Sequence, residues 1–131
     1  MKVIEGKDAV LGRLASFAAK ESLKGEEIAV VNCEEINISG NKKSITADFV
    51  DKRSRGGHSH RDPNHPRTCE KIVKRVIRGM LPDHRLGRGK QAFKRIKCYK
   101  GLPKEFEEAK KIVMKAKKFV KSSKVKEFTK W

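Results

Sequence analysis

His58, His60, His65 and Cys69 fall within twelve residues, and four such side chains are enough to hold a zinc ion. Their spacing matches none of the common structural zinc patterns, and the flanks are rich in arginine, which repels a cation. No metal is therefore expected, and the histidines are read as hydrogen-bond donors to phosphate, sugar or base edges. A phosphate-cradling loop would need G-x-x-x-x-G-K-[ST]. Gly87-Arg88-Gly89-Lys90-Gln91 resembles its end, but His84 stands at the first glycine position and Gln91 replaces the hydroxyl. No G-x-G-x-x-G follows a strand pattern, so dinucleotide binding is unsupported. Ser39, Ser44, Ser54 and Ser59 sit in turn or cap contexts, where serine is common for conformational reasons. The acidic pairs Glu26-Glu27 and Glu34-Glu35 flank an apolar run and suit solvated strand ends better than acid/base work. No catalytic residue, cofactor or small-molecule substrate is expected, and an RNA-modifying enzyme finds no support.

The positive signal is basic. Nine of the ten arginines and all four histidines lie between Arg53 and Arg95. Residues 52–100 hold sixteen Lys and Arg against three acids, a net of +13, while residues 1–51 stand at −2 and residues 101–131 at +6. A field of one sign on one segment attracts a polyanion and speeds encounter with it. Arginine binds phosphate bidentately and stacks on bases, so a block of it points to nucleic acid rather than to solubility alone. Between Val50 and Ala92 there is no Phe, Tyr or Trp. Stacking of single-stranded bases on aromatics is then closed to this segment, and recognition of the backbone and shape of folded RNA is favoured.

These residues must be positioned by a chain of 131 residues, the size of one domain with one core. No apolar run is long enough to cross a bilayer and no secretory signal is visible. The three scattered cysteines suit a reducing cytosolic compartment. Lys2-Val3-Ile4-Glu5 reads as a strand. Leu11, Leu14, Ala15, Ala18 and Ser22 recur at helical spacing, with Asp8 as a cap and Gly25 as a stop. The unbroken run Ile28-Ala29-Val30-Val31 suits a parallel strand covered on both faces. Ser39-Gly40-Asn41 marks a turn. Lys43 to Arg53 reads as a helix with Ser44 near its start, burying Ile45 and Phe49. Residues 54–67 have no large apolar side chain and read as a basic loop. From about Pro66 to Arg78 a helix is expected, with Ile72, Val73, Val76, Ile77 and Met80 on one face and Lys71, Lys74, Arg75 and Arg78 on the other. Arg88 to Arg95 suits a short helix and Ile96 to Tyr99 a strand. Phe106, Ala109, Val113, Ala116 and Val120 then predict a helix from Lys104 to about Val120.

Four stretches, in order and in register, resemble the universal large-subunit ribosomal protein thirteen family, archaeal type. They are Val10-Leu11-Gly12-Arg13-Leu14-Ala15-Ser16, then Val30 to Ile36 with Ser39-Gly40-Asn41-Lys42, then Val76 to Pro82 with His84-Arg85-Leu86-Gly87-Arg88, and Ile96 to Pro103. The resemblance runs from about residue 3 to 105. It implies an α/β fold, three-layer α/β/α with a mostly parallel sheet of about four strands. Basic loops and a lysine-rich helical C-terminal tail over 104–131 would complete a single domain. It implies a non-enzymatic, structural part of the large ribosomal subunit that binds large-subunit ribosomal RNA early in assembly, beside neighbouring ribosomal proteins, in cytoplasmic ribosomes. Membrane partners and homo-oligomers are not expected. From the resemblance, Arg78, Arg85 and Arg88 in the signature and Arg55, Gly56 and Gly57 in the preceding loop are carried over as RNA-binding. The residues themselves add Arg53, His58, His60, Arg61, Arg67, Lys74, Arg75, Lys90 and Lys94. The departure from the family pattern is at His58, His60, His65 and Glu70, where aromatic or apolar residues are usual. A free regulator of structured messenger RNA would use the same surface.

Overall fold

Residues 1–55, 64–114 and 121–129 are described by the structure, a computed structural model. At its centre stands the strand–helix–strand unit expected from the first thirty residues: β1 (Lys2–Glu5), α1 (Leu11–Leu23) and β2 (Ile28–Val31). β1 and β2 pair in parallel, with Lys2 opposite Ile28 and Glu5 opposite Val31. Successive side chains of a strand take opposite faces. Ile4, Ile28 and Val30 accordingly join one core cluster, and Val3, Ala29 and Val31 the other. All of β2 is buried, hence its unbroken apolar run. α1 adds Leu11, Leu14, Ala15 and Ala18 to the first cluster. Asp8 does not cap it. The cap position is Val10, extended and without a side-chain bond, while Asp8 turns the chain two residues earlier at φ 59°. Gly25, at φ 105°, stops the helix as expected.

β3 (Asn37–Ser39) leads into α2 (Lys42–Ser54). Asn41, rather than Ser44, caps α2, its side-chain oxygen accepting the Lys43 N–H at 3.2 Å. Ile45 and Phe49 are only half-buried, so α2 rides on the core instead of entering it. α3 (Cys69–Gly79) begins three residues after Pro66, because Thr68 is still extended, at ψ 142°. It buries Cys69, Ile72, Val73 and Ile77, while Met80 lies just past the last turn and is exposed. α4 (Gly87–Lys94) and β4 (Ile96–Cys98) follow.

The helix expected from Lys104 to about Val120 is corrected. Lys104–Phe106 makes one 3-10 turn, and Lys111–Val113 is a strand, β5, parallel to β1. The physical reason is the outer edge of β1, which would otherwise expose a row of unpaired backbone groups. The β-branched Ile112 and Val113 suit the pleated surface that fills it. The rest of the expected helix, residues 115–120, lies outside the described residues. The sheet runs β4-β2-β1-β5, parallel throughout. Tyr99, Leu102, Phe106 and Ala109 cover the face away from α1 and α3. β6 (Ser122–Lys124) pairs antiparallel with β3, and a further 3-10 turn, Val125–Phe128, buries Val125 and Phe128 completely. In place of a helical tail, the described part of 104–131 is two short strands and two 3-10 turns folded back on the core.

Candidate nucleic-acid interface

α3 divides its residues by face. Cys69, Ile72, Val73 and Ile77 recur at three- and four-residue steps and are buried. Lys71, Lys74, Arg75 and Arg78 turn away from them and form one wall of an open groove of about 420 Å³. The other wall is the extended segment from Asn64 to Thr68, and α4 contributes Phe93. No carboxylate is among the described residues that line it. Lys71 and Arg78 have no hydrogen-bonded or ion-paired partner among the described residues. Cations of this kind beside a concave wall can take the oxygens of an anion such as phosphate.

The segment opposite α3 is pinned at two points. Arg75 donates from Nη1 to the Asn64 carbonyl at 3.0 Å. Arg53 donates from Nη2 to the Pro66 carbonyl at 3.1 Å and from Nη1 to the Phe128 carbonyl at 2.8 Å. The Arg53 guanidinium also lies 5.1 Å over the Phe49 ring, which stacks on Phe128 at 5.2 Å. Arg53 therefore faces inward and holds the groove wall to α2 and to the C-terminal turn. Burial, and then Arg75, Lys52 and the other neighbouring arginines, push His65 below the ordinary imidazole value. An anion in the groove would offset the part that the neighbouring cations contribute.

Of the residues expected at the interface, Arg67, Lys74, Arg75 and Arg78 are brought together here. Arg55 lies at the end of α2, exposed and paired with Asp51 one turn back. Arg85, Arg88, Lys90 and Lys94 are exposed on α4 and the turn before it, outside the groove lining. Gly56, Gly57, His58, His60 and Arg61 lie outside the described residues. Among the described residues no cluster of His, Cys, Asp and Glu could hold a metal ion. Cys33 and Cys69 are buried and Cys98 half-buried, all as free thiols. No described helix is long and apolar enough to cross a membrane.

The structure adds Asn64, His65, Thr68, Lys71 and Phe93 to the groove. Lys71 was legible as part of the basic face of α3. Phe93 was not, because it stands one residue past the aromatic-free stretch that ends at Ala92. Only the tertiary fold, in which α3 and α4 both pack on α1, brings its ring under Lys74, whose ammonium sits 4.9 Å from the ring centroid. His84 meets the same ring edge-on at 6.1 Å.

A sequence model of the family described as "Ribosomal protein L13" matches residues 1–105. The chain belongs to this family. Relatives named "Large ribosomal subunit protein uL13" are similar over most of its length. That of Methanopyrus kandleri is 48% identical over 107 residues, covering 82% of this chain and 66% of the relative. That of Methanococcus maripaludis is 47% identical over 106 residues, covering 79% and 77%. That of Dictyostelium discoideum is 43% identical over 115 residues, covering 86% of this chain and only 60% of the relative. The L13 match takes in α1, β1, β2, α3, α4, β4 and every residue of the groove, while β5, β6 and Phe128 lie beyond it.

Proposed function

We propose that this L13-family chain is a structural component of the large ribosomal subunit that binds and stabilises folded large-subunit ribosomal RNA early in assembly. The observation that carries the reading is α3: one face fixed in the core, the other a row of cations beside a groove without carboxylates. The names of the relatives supply the particle. Arg67, Lys71, Lys74, Arg75 and Arg78 take phosphates in the groove. Arg55, Arg85, Arg88, Lys90 and Lys94 extend the basic surface around it, and Gly56, Gly57, His58, His60 and Arg61 add further contacts. Arg53 serves by holding the groove wall. The role is not enzymatic, the setting is the cytoplasmic ribosome, and the protein partners are neighbouring subunit proteins rather than copies of itself.

Sedimentation of a cell lysate through sucrose gradients at low and then high salt tests the particle. Comigration with the large subunit that survives high salt is expected. Migration in light fractions, or release by modest salt, would move the reading to a free regulator of structured messenger RNA. The phosphate role is tested on the purified chain. Arg78→Ala should weaken RNA binding and make the slope of log affinity against log salt shallower by about one, with the melting temperature unchanged. An unchanged affinity and slope would remove Arg78 from the interface.

A further inference from the structure

Among the described residues, Phe93 is the one phenyl ring in a groove otherwise built of cations, the His65 imidazole, Pro66, the Asn64 amide and the Thr68 hydroxyl. A duplex presents phosphates and sugars to such a groove and has no use for an aromatic face, whereas an unpaired base does. The positions around the ring suit a nucleotide. Lys71 and Arg78 stand two turns apart on α3, about 10 Å along its axis at 1.5 Å per residue, with Lys74 between them. Both are unpaired among the described residues, so they are free for the phosphates on either side of one nucleotide. Thr68 occupies the cap position of α3 without spending its hydroxyl on the cap, and it lines the groove together with Asn64. A hydroxyl and an amide can donate to and accept from a base edge. The groove volume of about 420 Å³ falls within the range of small-ligand sites, roughly 300–1,000 Å³.

We propose that the groove holds one unstacked nucleotide of the bound RNA, its base against Phe93 and its flanking phosphates on Lys71 and Arg78. This rests on the RNA-binding reading above and adds to it a preference for RNA with an unpaired residue. In the free protein the Lys74 ammonium occupies the ring face that the base takes. Its flexible stem lets the ammonium swing to a phosphate when the base arrives, exchanging one weak contact for a charge-assisted one. The preference is for an unpaired position rather than for a particular base, because every base has a face to stack.

Two labelled RNA hairpins of equal stem length, one fully paired and one with a single-nucleotide bulge, test this against the full-length chain. The bulged hairpin should bind more tightly by about tenfold, the size of one base–aromatic stack. Phe93→Leu should bring the two affinities together, the bulged hairpin losing the more. Phe93→Trp should keep the preference, and its new indole should be quenched by the bulged hairpin and not by the paired one. Equal affinities in the unmodified protein, or a preference that survives Phe93→Leu, would overturn the inference. If both hairpins still bind with a steep salt dependence in that case, the ribosomal RNA reading stands. Failure of either hairpin to bind at any salt would overturn both.

Discussion

Glu21 is held by two lysines at once. Its side chain is nearly inaccessible on α1, yet Lys2 from β1 and Lys24 from the end of α1 both reach it, Lys24 at 2.6 Å. The hydrogen bond from Lys2, then that from Lys24, hold its carboxyl down to about 2, against the burial that would raise it. The folded state therefore binds fewer protons at this site than the unfolded chain, whose carboxyl titrates at the ordinary value of 4.5. The stabilisation is complete above 4.5 and is lost as the pH falls towards 2. Melting temperatures taken between those limits should fall steeply, and Glu21→Gln should flatten that fall; an unaltered acid limb would show that the pair does not couple β1 to α1. Single residues were also where the sequence was least readable. Arg53 sits in the basic block and was counted as an RNA contact, but its guanidinium is spent on the Pro66 and Phe128 carbonyls. Residue type announces a charge, whereas its direction depends on neighbours up to seventy-five positions away.

At the scale of elements, local pattern was a good guide where burial and periodicity agreed. β1, α1 and β2 were legible because each has one demand, a buried face at a period of two or of 3.6. The basic and apolar faces of α3 were legible for the same reason. The region after Lys104 was not, because Phe106, Ala109 and Val113 satisfy a helical spacing while the free edge of β1 rewards a strand. That reward is tertiary and leaves no local mark. Gly89 is a second case in which an element is shaped by its neighbour. It looked like part of a failed phosphate loop, but its role is close approach: a Cβ on it would overlap the carbonyl oxygens of Pro82 and Asp83, which rest on the first turn of α4. Gly89→Ala must push the 82–83 turn away from α4. It should cost about 1–3 kcal/mol, as overpacking does, and should shift Arg85, whose backbone N–H is tied to Asp83 at 3.0 Å. Urea unfolding reads the first effect and the affinity for RNA the second. A variant with an unchanged urea midpoint would mean that the turn has room to move.

Across the whole molecule, the stretch after residue 105 closes the structure that the family match begins. β5 completes the sheet, β6 pairs with β3, and Phe128 is fully buried against α2 with its ring stacked on Phe49. The same residue's carbonyl accepts from Arg53 Nη1, and Arg53 Nη2 donates to the groove wall at the Pro66 carbonyl. One linkage thus runs from the C-terminal turn through α2 to the groove. It lets a chain with a net charge of +17 hold the wall that faces the cations of α3 in place before any polyanion neutralises them. Phe128→Ala tests that linkage. Removing a fully buried ring should cost about 3–5 kcal/mol, for the lost transfer and the cavity left behind. Stability should also fall where it is not measured by melting alone: hydrogen exchange at residues 64–68 should quicken, because the Phe49 ring under Arg53 loses the ring it stacks on, and Arg53 holds Pro66. Phe128→Leu, which keeps most of the volume, should recover stability and exchange protection together. If Phe128→Ala lowered global stability while leaving exchange at 64–68 as slow as before, relative to the global value, the tail would be a prop for the core alone. The groove wall would then be held by Arg75 and Asn64 without it.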